Sequence, residues 1–191
     1  MSKMDPKILA HLESHIVLTQ DFPEPPVLFR DISPLLTREF RSVVDCMVQL
    51  IPQDMVSKID AFGGLDARGF IFAGALAGHF NKGVLMIRKK GKLPPPVFDE
   101  DYMTEYGPRT LELKAGEGKV FLLDDVLATG GSMKAAANLC THAGYTVQGF
   151  ATLMDLKFLN DFEWNGMKNS SIFAYERPDQ ILYPVPKPDV A

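Results

Sequence analysis

Residues Lys119 to Lys134 read K-V-F-L-L-D-D-V-L-A-T-G-G-S-M-K, and this order of residue types leaves few ways to fold. Val120 to Leu123 form a continuous apolar run of the kind that makes a strand buried on both faces, as in the parallel sheets of α/β proteins. Asp124 and Asp125 follow, where such a strand would meet solvent, and then come Ala128-Thr129-Gly130-Gly131-Ser132 and a helix-forming run from Met133 to Ala143. A strand, a tight glycine loop and a helix start bring backbone N–H groups and the positive helix end close to an anion, with the Thr129 and Ser132 hydroxyls as extra donors. The loop therefore suits a phosphate monoester. The plainer alternative is a buried strand with an Asp-rich turn and a helix capped at Ser132.

The two carboxylates cannot serve that phosphate, because they repel it unless something is held between. Vicinal ribose hydroxyls are such a group: they donate to carboxylates directly, or meet them through Mg²⁺, which prefers oxygen ligands and phosphates. A Walker-type phosphate loop is excluded, since no G-K-S/T follows the glycines.

With 191 residues the chain can build one full core, so a single domain spanning 1–191 is expected. Against 24 acidic residues stand 20 basic ones, which leaves no electrostatic footprint for nucleic acid or an anionic membrane. Any basic site must be local. Cys46 and Cys140 fall in amphipathic helical patterns and read as buried free thiols in a reducing compartment. No apolar run approaches membrane-spanning length, so the expectation is a soluble, cytoplasmic protein.

Along the chain, Pro6 to Val17 carry apolar residues at helical spacing, with Asp5 as N-cap and Pro6 at the first helical position. His11 and His15 lie i, i+4 on that helix but lack a third ligand, so they read as a solvated face. Asp21 to Asp31, D-F-P-E-P-P-V-L-F-R-D, holds three prolines and must be an extended loop. Leu28, Phe29 and Arg30 could there offer a wall, a ring and a donor fork to a planar heteroaromatic ligand; equally, Phe29 could be core and Arg30 could pair with Asp31. Ser33-Pro34 opens a helix that breaks and resumes from Arg38 to Ile51.

Lys58 to Leu65 is a second strand running into glycines, and Asp66-Ala67-Arg68-Gly69 starts a helix from Phe70 to Phe80. Val84 to Ile87 is a third strand, ending in Arg88-Lys89-Lys90-Gly91-Lys92. Carboxyl ends of parallel strands share one edge, so Arg68, this basic cluster and the 128–132 loop should converge on one point, an arrangement suited to pyrophosphate. Taken singly, the basic cluster could be a solvated charged loop. The long connection from about 93 to 118, with strand alternation at Thr110 to Leu113, reads as a mobile flap. Thr146 to Met154 and Ser171 to Tyr175 are further strands, and Tyr183 to Ala191 is a Pro-rich tail.

Set together, the 119–134 stretch, F-P-E-P-P-V-L-F-R-D-I-S, G-L-D-A-R-G-F, I-R-K-K-G-K-L-P and T-E-Y-G occur in order between Phe22 and Tyr145. The chain resembles the adenine phosphoribosyltransferases, a branch of the type I phosphoribosyltransferases, whose members use 5-phosphoribosyl pyrophosphate (PRPP). The resemblance implies an α/β fold with a mainly parallel central sheet flanked by helices, a small hood built from about 1–37, and the flap. It implies transfer of the phosphoribosyl group of PRPP to adenine, giving AMP and pyrophosphate with Mg²⁺ carried mainly by PRPP, in a homodimer. By the same resemblance Arg68, Arg88, Lys89 and Lys92 hold pyrophosphate, Asp124 and Asp125 the ribose, and Ala128, Thr129, Gly130, Gly131 and Ser132 the 5′-phosphate. Leu28, Phe29, Arg30 and Val126 enclose adenine, and Glu105 handles the purine proton.

Three positions depart from the family pattern. Pro26 stands where the family has glycine, Val126 replaces a common leucine, and K-F-L-N-D-F-E-W-N after Leu156 lacks the expected glycines. Two other functions fit the loop: a phosphoribosyltransferase for another 6-substituted purine, and a PRPP-sensing regulator without catalysis. Glu105 and the missing basic face weigh against the regulator.

Overall fold

The computed structural model describes residues 4–23, 25, 27–104, 107–180 and 182. Helix α1, Pro6–Glu13, is followed by strands β1, Val17–Gln20, and β2, Leu28–Asp31, then α2, Ser33–Leu50, and the single turn α3, Gln53–Val56. The central part runs β3, Ala61–Leu65; α4, Gly69–Phe80; β4, Gly83–Lys89; β5, Phe98–Thr104; β6, Gly107–Leu113; β7, Gly118–Leu127; and α5, Gly131–His142. Strand β8, Tyr145–Leu156, a 3₁₀ turn at Lys157–Leu159, β9, Glu163–Trp164, and β10, Met167–Tyr175, complete it.

Eight strands form one sheet in the order β5-β6-β4-β3-β7-β8-β10-β9. The five inner strands β4, β3, β7, β8 and β10 are parallel, and β5, β6 and β9 add antiparallel edges. The apolar run of β7 is buried on both sides: Phe121 and Leu123 join the core under α2 and α4, and Val120 and Leu122 join the core under α5. A parallel strand needs this because helices cover both faces. The mainly parallel α/β architecture inferred from that run is the one observed.

Local chemistry explains most element boundaries. Asp5 caps α1 through its carboxylate, which accepts the Lys7 N–H at 2.8 Å, with Pro6 at the first helical position. The helix stops at Glu13 instead of continuing to Val17. There the Ser14 hydroxyl donates to the His11 carbonyl at 2.7 Å, and residues 17–20 pair antiparallel with β2 from Val17↔Asp31 to Gln20↔Leu28. Part of the extended 21–31 segment is thus a strand, and β1 with β2 forms the hood hairpin. The break expected within the second helix is a kink at Glu39, whose φ/ψ of −126°/23° is non-helical.

The 93–118 connection contains an antiparallel hairpin, β5 with β6, in register from Phe98↔Leu113 to Thr104↔Gly107. Both cysteines are free and buried. No helix among the described residues is long and apolar enough to cross a membrane. No cluster of three or more metal-ligating side chains occurs among them, and His11 instead pairs with Glu39 at 3.0 Å.

Candidate active site

The carboxyl ends of β3, β4, β7 and β8 border a cleft of about 510 Å³, roofed on one side by the hood and on another by the β5–β6 hairpin. It collects Arg68, Lys89, Asp124, Asp125, the whole 128–132 loop, Leu28, Phe29, Arg30 and Val126. Arg88 and Lys92 do not line it. Glu105 and Pro26 lie outside the described residues.

At the centre, the acidic pair lies inside β7, which runs on to Leu127, and not at a solvent-facing strand end. Asp125 is only 3% exposed; Asp124 is half-buried and faces the cleft. The Asp124 Oδ1 accepts the Asp125 N–H at 2.9 Å, and Arg68 Nη1 lies 3.0 Å from Asp125 Oδ2. This second contact is ionic only, since Oδ2 has no aligned donor among the described residues. Burial, then the charge of Asp125, pushes the Asp124 carboxyl well above the usual range. Burial also raises Asp125, with Arg68 pulling the other way. The pair thus retains a proton to higher pH than an isolated aspartate, and a second cation or a set of hydroxyl donors would complete its charge balance.

Two glycines let helix α4 sit against this pair. A Cβ on Gly69 would come within 2.7 Å of the Leu123 carbonyl oxygen and 3.2 Å of Asp124 Oδ1, and one on Gly64 within 2.5 Å of the Gly69 carbonyl oxygen. The start of α4 is therefore seated on the ends of β3 and β7, and Arg68, immediately before it, points over the acidic pair.

The 128–132 loop joins a strand to a helix through glycines, with α5 beginning at Gly131, two residues before the run expected from Met133. Gly130, at φ +82°, is the N-cap and carries no side-chain cap, so α5 is not capped at Ser132. Thr129 is exposed and Ser132 half-buried, and both line the cleft. Gly131 is packed so closely that a Cβ would lie 3.0 Å from the Met103 carbonyl oxygen of β5. The hairpin thus abuts the loop.

At the basic end, Asp66 N donates to the Ile87 carbonyl at 2.9 Å, and the Asp66–Ala67 peptide is cis. Arg88 Nε donates to Asp66 Oδ2 at 3.0 Å and its guanidinium sits 5.5 Å from the Phe70 ring centre. Asp66 lines the cleft, whereas Arg88, engaged by Asp66 and Phe70, does not. The Lys92 side chain is exposed, and its backbone N–H is taken by Glu112.

At the apolar end, Phe29 meets Phe22 edge-on at 5.0 Å, and Arg68 stands 5.8 Å from the Phe29 ring centre. Val126 packs on the core below. Arg30 is buried and does not pair with Asp31, whose carboxylate instead accepts the Ser33 N–H and hydroxyl. The Arg30 Nη2 donates to the Pro178 carbonyl at 2.6 Å and its guanidinium lies 4.2 Å over the Tyr175 ring, which ties the hood to the end of β10.

The phosphoribosyl transferase domain family matches residues 37–158. The adenine phosphoribosyltransferase of Hydrogenovibrio crunogenus is 44% identical over 166 residues, covering 86% of this chain and 96% of its own. The chain belongs to the adenine phosphoribosyltransferase family. In three dimensions it is similar to the Rhodothermus marinus adenine phosphoribosyltransferase, with a TM-score of 0.76 at 32% identity, covering 89% of this chain and 99% of that one. The Saccharomyces cerevisiae enzyme, complexed with an imino-altritol bisphosphate and adenine, gives 0.77 at 28% identity, covering 88% and 99%.

Beyond the motifs that mark the adenine phosphoribosyltransferase family, three features of the site escape a reading of this sequence. Arg109 and Tyr102 are cross-strand partners on the hairpin and both line the cleft, adding a cation to it. The strand alternation around Thr110 could have placed Arg109 on that face. Glu112, also on β6, is buried and accepts the N–H groups of Gly91, Lys92 and Leu93, which orders the turn after β4. Asn160 reaches the Ala128 carbonyl from 32 residues away, a contact that no local pattern announces.

Proposed function

We propose that this chain transfers the 5-phosphoribosyl group of PRPP to adenine, releasing pyrophosphate and AMP. The observation that carries the reading is that one cleft gathers Asp124 and Asp125, the 128–132 loop, Arg68 with Lys89, and Phe29 with Val126. A phosphorylated ribose with a charged leaving group and a planar base fits that combination of surfaces. The adenine in the complex of the Saccharomyces cerevisiae relative supports the choice of base.

The reaction breaks the bond from ribose C1′ to the pyrophosphate oxygen and forms one from C1′ to a purine ring nitrogen. It needs placed charge more than a nucleophile. Ala128–Ser132 would hold the 5′-phosphate, and the acidic pair would accept the ribose hydroxyls and stabilise positive charge developing on the ring. Arg68, Lys89 and Arg109 would neutralise phosphate oxygens, while Glu105 would take the purine proton. Hard carboxylate oxygens on Asp124 and Asp125, one without an aligned donor, fit Mg²⁺ arriving with PRPP, which would supply charge neutralisation of the leaving group. Arg88 and Lys92 retain a pyrophosphate role only if they move or act on another copy.

A homodimer is supported by the exposed apolar side chains of Ile71 on α4 and Val84 and Met86 on β4. The buried free thiols support a reducing, cytoplasmic setting. Turnover with PRPP and each purine tests the assignment. Hypoxanthine offers a carbonyl where adenine offers an amine donor, and an unpaired buried polar group costs roughly 1–3 kcal/mol. Adenine should therefore exceed hypoxanthine in kcat/KM by about tenfold or more. Equal use would favour a broader purine enzyme, and PRPP binding without turnover would favour a sensor.

A further inference from the structure

The segment after β8 lies against the 128–132 loop. The Asn160 Nδ2 lies 2.7 Å from the Ala128 carbonyl oxygen, 3.0 Å from that of Leu156 and 3.1 Å from Asp155 Oδ1. Its Oδ1 accepts the Phe162 N–H at 3.0 Å. An amide donates through its NH₂ to carbonyls on one side and accepts an N–H through its oxygen on the other, which a carboxylate, lacking a donor, and an aliphatic side chain, lacking both, do not do.

Phe162 completes the contact. Its ring is buried, meets Phe150 edge-on at 5.1 Å, and would lie 2.9 Å from a Cβ at Gly130. Two residues of one short turn therefore touch the loop at Ala128, its first residue, and at Gly130, the cap of α5. The other end of this brace is fixed in the sheet. Asp155 is fully buried, 2.6 Å from Lys157 Nζ and 3.1 Å from Asn169 Nδ2, and Asn169 also donates to the Thr152 hydroxyl at 2.8 Å.

We propose that Asn160 is a positioning residue for the phosphate loop, holding the Ala128 carbonyl so that the following N–H groups stay aimed at the 5′-phosphate. The inference rests on the reading of Ala128–Ser132 as the phosphate site. A loop held in its binding geometry before the ligand arrives avoids an ordering cost on binding. Asn160 also bonds the Leu156 carbonyl, but Leu156 is held independently by pairing with Tyr175 in β10, so its place should change less than that of Ala128 and the base contacts should be largely kept.

The test is Asn160→Ala, with Phe162→Leu as an independent variant that loosens the brace without removing a polar partner. Removing one neutral hydrogen bond is worth about tenfold in affinity. KM for PRPP and Kd for ribose 5-phosphate should both rise by about that factor in Asn160→Ala, with KM for adenine within about twofold, and Phe162→Leu should shift the same two quantities in the same direction. A purely structural role would lower Tm and the active fraction and leave each KM in place. PRPP and ribose 5-phosphate constants unchanged in both folded variants, or equal shifts for PRPP and adenine, would overturn the proposal. If the wild type made no AMP, the activity reading would fall, and the ribose 5-phosphate titration would still decide for or against Asn160. If Asn160→Ala does not fold, Phe162→Leu decides alone.

Discussion

Arg68 and Asp125 face each other across the cleft floor at 3.0 Å, the guanidinium 41% exposed and the carboxylate nearly sealed in β7. The cation serves a carboxylate that it does not fully satisfy, beside a second carboxylate, Asp124, that has no ion pair of its own among the described residues. Such a centre is built for something that binds, at the expense of the fold without it.

Stability and activity should therefore part company at Asp124. Burial, reinforced by Asp125, raises its pKa, so the folded protein holds the proton that the unfolded chain has already lost. The stabilisation is full below the unfolded value near ~4 and is lost as pH rises through the folded value. Asp124→Asn cannot ionise and escapes that loss. We expect Tm at pH 8 at or above wild type, a gain that shrinks toward pH 4, and kcat/KM for PRPP lower by roughly 10². Thermal melts across pH beside steady-state assays check this; a lower Tm at pH 8 with near-normal turnover would reject the site role.

Gly69 gives a second contrast. Its missing side chain lets α4 rest on the Leu123 carbonyl and beside Asp124, whereas Gly74 on the same helix has open space where a Cβ would be. Overpacking costs about 1–3 kcal/mol, and each kcal/mol is worth roughly 2–4 °C in a domain of this size. Gly69→Ala should lower Tm accordingly and reduce kcat/KM. Gly74→Ala should hold or raise Tm, since helix-interior glycine costs about 0.5–1 kcal/mol relative to alanine. Equal melting shifts for the two variants would contradict the close-packing account.

These contrasts also show where sequence reading reaches. Strand β7, the glycine loop and α5 were legible because an unbroken apolar run, two acids and two glycines each have one structural use, and β3 into α4 repeats the pattern. Strand β1 was not legible: all four of its residues are exposed, so no alternation marks it, and Val17 fell into the preceding helical period. Burial of Asp125 was missed because a charged pair reads as a strand end. The lock of Arg30 on Pro178 and the brace from Asn160 to Ala128 join residues 148 and 32 apart. Such pairings are set by how the sheet curls, which local composition does not encode.

Glu105 rests on the T-E-Y-G motif alone, and its test is correspondingly direct. A carboxylate that accepts the purine proton acts in the transition state and not in PRPP binding, and loss of a general base costs roughly 10²–10⁴ in rate. Glu105→Ala should lower kcat and kcat/KM for adenine by similar factors, with the Kd of PRPP, measured without base, within a few-fold of wild type. Near-wild-type turnover would make Glu105 one more surface charge beside Asp99, Glu100 and Asp101.

Glu112 should show the opposite pH behaviour to Asp124. Burial would raise its pKa, but N–H donors from Gly91, Lys92 and Leu93 outweigh it and hold the carboxyl below its ordinary value. A depressed carboxylate contributes stability above its unfolded value, near ~4.3, and that contribution is lost as pH falls through the folded value. Glu112→Gln keeps the shape but offers an NH₂ group to one side of a turn that presents only donors. Tm should fall at pH 7, and the deficit should narrow as the wild type is acidified past pH 4. Because the turn follows Lys89, which lines the cleft, KM for PRPP should rise a few-fold while KM for adenine holds. A Glu112→Gln protein with the wild-type Tm at pH 7 would show that the three N–H groups are equally well served by water, and the turn would then owe its order to something other than this carboxylate.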